Sequence, residues 1–134
     1  MNAVFIAVPA GHGRLSEVAG QLAKAGYTVE STGGEGHRRL FVKGDHEHVW
    51  IFNEKDPGEM PHEFGKFVQE ATMEVLAVEY YSLPLAKRIV ELLAKDDDSI
   101  VDNDHGTSLT GPKFIQRLRA EPSWDWRIDL TRGK

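Results

Sequence analysis

Cysteine is absent from this 134-residue chain. That excludes a disulfide framework, a thiol nucleophile and any zinc site built on cysteine. Long apolar runs are also missing: the longest are strand-sized, so no segment is expected to span a membrane. The opening residues Met1-Asn2-Ala3-Val4-Phe5-Ile6-Ala7-Val8 lack the basic start of a secretory signal, and a cytoplasmic location is the expectation. The helical zinc signature H-E-x-x-H, the G-x-S-x-G elbow and a Walker-type Gly-Lys-Ser/Thr do not occur. Repeats, linkers and low-complexity tracts do not occur either.

Hydrophobic residues make up 40% of the chain, with three Trp, three Tyr and six Phe spread along it. This composition suits one folded domain over residues 1–134 and excludes a largely disordered protein. Charge is unevenly placed. Residues 1–40 carry a net +1. Residues 41–110 hold six Lys/Arg against fifteen Asp/Glu, a net of −9, and residues 111–134 carry +3. The acidic middle would repel phosphate backbones and attract basic surfaces. Nucleic-acid binding through the body is therefore not expected.

Periodicity gives the element order. Asn2–Val8 is apolar on both sides, as in a central strand covered on both faces. After the turn Pro9–Gly13, Leu15, Val18, Ala19, Leu22 and Ala23 recur at helical spacing, and Gly26 stands where a left-handed helix stop is wanted. Tyr27–Ser31 reads as a strand, ended by Thr32-Gly33-Gly34-Glu35-Gly36. Arg39–Lys43 and His48–Asn53 form a hairpin about Gly44-Asp45. In its second arm His48, Trp50 and Phe52 alternate with Val49, Ile51 and Asn53, which suggests burial on both faces. A polar loop, Glu54–His62, leads to a short helical segment, Glu63–Thr72, and then to a strand centred on Val75–Val78. Ser82 is placed to cap a helix carrying Leu85, Ile89, Leu92 and Leu93, with Lys87–Glu91 and Glu91–Lys95 as spaced pairs on its outer face. Asp96-Asp97-Asp98 lies beyond its end. Ser99–Val101 is a short strand, and Thr110 is placed to cap a last helix. The sum is an α+β fold: a mixed or mainly antiparallel sheet of about five or six strands with two or three helices packed on it.

Few constellations carry chemistry. Gly11-His12-Gly13-Arg14 joins a strand to a helix, where amides can hold an anion, but Ser16 stands where the dinucleotide fingerprint needs its third glycine. His46 and His48 would share one side of an extended strand and could grip a metal with His105, His37 or His62 as third ligand. Asp102-Asn103-Asp104-His105-Gly106-Thr107 fails the EF-hand pattern, since Gly106 and Lys113 fall where ligands are required. It could support acid–base work, or be a turn whose short polar residues satisfy the backbone. Ser82 and Ser108 have no nucleophile motif around them. Trp124 and Trp126, one residue apart, would point to opposite sides of an extended segment, one docking and one facing out as an anchor. Alternatively both pack under the last helix.

The segment Ile100–Thr107, continued by Leu109, Gly111, Phe114 and Leu118, resembles a C-terminal pattern of small bacterial proteins similar to the immunity proteins of toxin systems. The resemblance implies action by binding, without catalytic residues. The leading expectation is thus a non-enzymatic immunity-type protein that occludes a basic toxin domain, such as a nuclease, with no cofactor. Glu54, Asp56, Glu59, Glu63, Asp96, Asp97, Asp98, Asp102 and Asp104 would form one continuous acidic face, with Trp124 or Trp126 as apolar anchor. The rival is a small metal-dependent hydrolase, or a nucleotide- or anion-binding enzyme, using His46, His48, Asp102, Asp104 and His105.

Overall fold

The doubly apolar run at the start becomes β1 (Asn2–Val8), and it sits deep in a seven-stranded sheet of order β2-β3-β4-β5-β1-β6-β7. The computed structural model describes residues 2–34 and 37–128. The sequence expectations at Met1, Glu35-Gly36 and residues 129–134 lie outside them. The other elements are α1 (Leu15–Lys24), β2 (Thr28–Thr32), β3 (Arg39–Lys43), β4 (His48–Asn53), α2 (His62–Glu70), β5 (Glu74–Tyr80), α3 (Leu83–Leu93), β6 (Ile100–Asp102), β7 (Ser108–Thr110) and α4 (Gly111–Ala120). A single 3₁₀ turn, Pro57–Glu59, precedes α2. Every strand pair is antiparallel. The class is α+β as expected, with one strand more: Ser-Leu-Thr of β7 pairs with β6, and is too short to announce itself by alternation.

Alternation sorts the strand side chains onto two faces. One face carries Val4, Ile6, Val8, Leu40, Val42, Val49, Ile51, Val78, Tyr80 and Val101, closed over by α1, α3 and α4. The other carries Phe5, Ala7, Val75 and Ala77, covered by Phe64 and Val68 of α2 together with Met60. That second cover is small. A nine-residue helix is ~14 Å long, so α2 shields β5 and β1 and leaves the β2–β3–β4 half of its face open.

The helix ends follow local chemistry. Gly26, at φ +99, takes the left-handed position after α1. Ser82 accepts from the Leu85 amide and donates to Glu47, fixing the start of α3 against the β3–β4 turn. Thr110 precedes α4 without a side-chain cap bond. The pairs expected along α3 are replaced: Glu91 meets Arg119 of α4 at 3.5 Å, and Lys87 donates to the Pro122 carbonyl. Lys95 lies past the helix end, so tertiary partners win over helical spacing.

Gly20 sits inside α1, and a methyl group added there would meet nothing within 4 Å. Gly20→Ala is therefore expected to stabilise the fold by about 0.5–1 kcal/mol, since alanine restricts the unfolded chain and costs nothing in the helix. A raised urea midpoint at unchanged slope is the measurement.

Candidate functional site

The hairpin, whose second arm reads as buried on both faces, is half open. Leu40, Val42, Val49 and Ile51 face the core, while Phe41, His48, Trp50 and Phe52 face the uncovered side of the sheet and are only half-buried. Cross-strand register makes them one surface. Phe41 lies opposite Trp50, with rings 4.8 Å apart; Phe41 and His48 are 4.9 Å apart, and Tyr81 stands edge-on to His48 at 6.4 Å. Tyr81 is 64% exposed. Arg39 lies 4.4 Å over the Phe52 ring and bonds Glu79 at 3.1 Å. The result is an aromatic patch with one arginine laid flat on it. Sequence reasoning missed it because aromatic side chains alternate in the same way whether or not a helix covers them.

The polar loop borders this patch. Glu54 continues β4, its amide bonding the Val75 carbonyl, and its carboxylate accepts from the Asp56 amide. Asp56 caps the 3₁₀ turn by accepting from Gly58 at 2.8 Å. Asp56, Glu59 and Glu63 are solvent-exposed. These four acids lie along one loop and the first turn of α2.

The other five lie apart from these four. Asp96–Asp98 precede β6, which is separated from β4 by β5 and β1, about 14 Å at the usual strand spacing. Asp96 there accepts from the Asp98 amide and bonds His12 at 3.1 Å, and these two hydrogen bonds, the amide's above all, hold its carboxyl below the ordinary range. Asp102 and Asp104 lie at the far end of β6. Asp102 is buried and accepts from the Asp104 amide; burial raises its carboxyl above the ordinary range, and that of Asp104 likewise. The single continuous acidic face is therefore corrected to three separate groups. Antiparallel strands carry residues close in sequence to opposite ends of the sheet.

The tryptophans are corrected as anchors too. Trp124 is 6% exposed and Trp126 fully buried. The segment turns instead of extending, with the Trp124 amide donating to the Glu121 carbonyl and the Ile128 amide to the Asp125 carbonyl, so both rings enter the core. Trp126 packs on Phe114 at 5.4 Å and edge-on to Tyr80 at 5.8 Å, and its indole N–H donates to the Tyr80 hydroxyl. Arg117 stacks on Trp124 at 3.7 Å. Arg127, hydrogen-bonded to Asp125 at 2.7 Å, pulls the Asp125 carboxyl down to about 2.

The histidines do not converge. β4 begins at His48, and His46 sits in the turn at φ +60, so the two do not share a strand face. His105 lies in the β6–β7 turn, across the sheet from the β3–β4 turn. Among the described residues no three His, Asp or Glu side chains are grouped as metal ligands. The loop Asp102–Thr107 is organised by Asn103, which accepts from the His105 and Thr107 amides and donates to the Trp126 carbonyl at 2.8 Å. Its polar residues are used as turn geometry and as a clamp on the tail. Among the described residues no helix is long and apolar enough to cross a membrane. Compared with protein families, with characterised proteins and with solved structures, the chain matches none.

Proposed function

We propose that this chain is a non-enzymatic protein-binding domain of the immunity type, acting in the cytoplasm to occlude a toxin domain. The observation that carries the reading is the open aromatic half-face: Phe41, Trp50, Phe52, Tyr81 and His48 with Arg39 across them. Tyr, Trp, Phe and Arg are the residues enriched at the centres of protein interfaces, where they supply most of the binding energy. Glu54, Asp56, Glu59 and Glu63 border the patch on one side and favour a partner with a basic rim, whose encounter they would speed. The binding energy comes from the rings, and the carboxylates set the rate.

The test is complex formation with the polypeptide encoded beside this chain. Trp50→Ala removes the centre of the patch without touching the core face, and is expected to weaken the complex by about 2 kcal/mol, near thirtyfold. Glu54→Lys/Asp56→Lys/Glu59→Lys should slow association at low salt and flatten its salt dependence while leaving dissociation nearly unchanged. A complex indifferent to Trp50 would place the interface elsewhere, and failure of the neighbouring polypeptide to bind would remove the immunity reading.

A further inference from the structure

At the end of the sheet where β1 runs into α1, a cavity of about 520 Å³ opens between α2 and the start of β5 with its preceding turn. Met60, Val68, Met73 and Val75 form its apolar wall, with Gln69 and Thr72 at the polar side. A second lobe of about 360 Å³ adjoins it, lined by Arg14, Ser16 and Arg38, and the two lobes share Asn53, Lys55 and Glu74. The shared wall is braced: Asn53 donates to the Gly13 carbonyl at 2.9 Å, and the Glu74 carboxylate accepts from the Gly11 amide.

The charge in the second lobe is unusual for this molecule. Five of the seven arginines among the described residues, Arg39, Arg88, Arg117, Arg119 and Arg127, sit in ion pairs. Arg14 and Arg38, which have no ion-pair partner among the described residues, both line this lobe, and Lys55 stands with them. Three cations face one carboxylate that is already engaged by an amide, leaving an excess of two positive charges in a concave site. Two guanidinium forks and an ammonium match the oxygens of a phosphate dianion in both charge and geometry. The apolar neighbour is of ordinary small-ligand size.

We propose that this two-lobed groove binds a phosphate monoester with a nonpolar or aromatic body, its phosphate held by Arg14, Arg38 and Lys55 and its body lying between Met60, Val68 and Met73. A nucleic-acid strand is disfavoured as the source of that phosphate. Glu54, Asp56, Glu59 and Glu63 surround the approach on one side and Asp96–Asp98 stand at the same end of the sheet, so further phosphates along a strand would meet carboxylates. The ligand is a small molecule carrying a single phosphoryl group.

Titration calorimetry of the whole chain with adenosine monophosphate, hexyl phosphate, adenosine and inorganic phosphate tests this. At least one of the two monoesters is expected to bind about tenfold or more tightly than inorganic phosphate or adenosine, the two lobes acting together. Which monoester wins identifies the body as heteroaromatic or alkyl. Arg14→Gln/Arg38→Gln should lose about tenfold or more in monoester affinity at unchanged thermal stability, both side chains being exposed. Gln69→Trp, at the lip of the apolar lobe, should weaken the monoester and leave inorganic phosphate unaffected. Absence of binding by both monoesters, inorganic phosphate binding as tightly as either, or an affinity unchanged in the arginine double variant would each overturn the proposal.

Discussion

Trp126→Ala should destabilise the protein by about 3–5 kcal/mol, the largest loss expected from any aromatic truncation here. The indole is fully buried, in ring contact with Tyr80, Phe114 and Trp124. Its removal opens a cavity beneath α4, which a neighbouring helix and a sheet cannot collapse to fill. A hydrogen-bonding loss adds to it: the indole N–H donates to the Tyr80 hydroxyl, and burial already raises the Tyr80 pKa, so that hydroxyl would be left facing an apolar void. For a domain of this size the melting temperature should fall by roughly 10–20 °C. Trp126→Phe separates the parts. It keeps most of the ring area and loses the donor, and should cost about 1–3 kcal/mol. Unfolding followed by circular dichroism is the measurement. An unchanged midpoint in the alanine variant would mean that the tail is not part of the core.

The same residue shows what the sequence could and could not declare. That Trp124 and Trp126 are heavy apolar residues near the chain end is plain from the sequence. Which way they point depends on whether Pro122–Arg127 is extended or turned, and the turn bonds at Glu121 and Asp125 decide it. The β1 run is legible because burial on both faces leaves no polar alternation to misread. The β4 run looks alike and is not. His48 and Trp50 lie outside the cluster that α2 covers, which Phe52 meets only as a half-buried neighbour, and helix length set against sheet width is a property of the assembled layers.

The candidate sites are illegible for a related reason. Arg14, Arg38 and Lys55 come from three different turns and share no periodicity; the register of β3 with β4, and the entry of α1, bring them together. The nine acids show the converse. A run of negative charge in sequence is folded by antiparallel pairing into three groups, two at one end of the sheet but on strands with two others between them and one at the other end, so net charge over a segment says little about a face. Glu54, Asp56, Glu59 and Glu63 follow one another along a single loop and the first turn of α2.

Gly111→Ala should be nearly as damaging as loss of the tryptophan, at about 3 kcal/mol or more, although it adds one methyl group. Gly111 opens α4 where the end of α3 and the start of β6 meet. Its amide donates to the Ser99 carbonyl at 2.9 Å, and the Ser99 hydroxyl bonds the Ala94 and Asp96 carbonyls. A Cβ at this position would lie 2.0 Å from both the Ala94 oxygen and the Ser99 hydroxyl oxygen. The hydroxyl can rotate away; the Ala94 carbonyl is backbone and cannot. Gly111→Ala/Ser99→Ala should therefore recover little of the loss, which distinguishes a backbone clash from a side-chain one. Denaturant midpoints of the three variants decide it, and a double variant restored to wild-type stability would show that the junction slides. The outcome bears on the stretch of residues 100–118. Val101, Phe114 and Leu118 from that stretch are core residues, Asn103 clamps the tail, and Gly111 permits the close approach of α4. Each of these positions holds the β6–β7 edge of the sheet together, so the pattern specifies how the edge is built, and the aromatic patch lies across the sheet on β3 and β4.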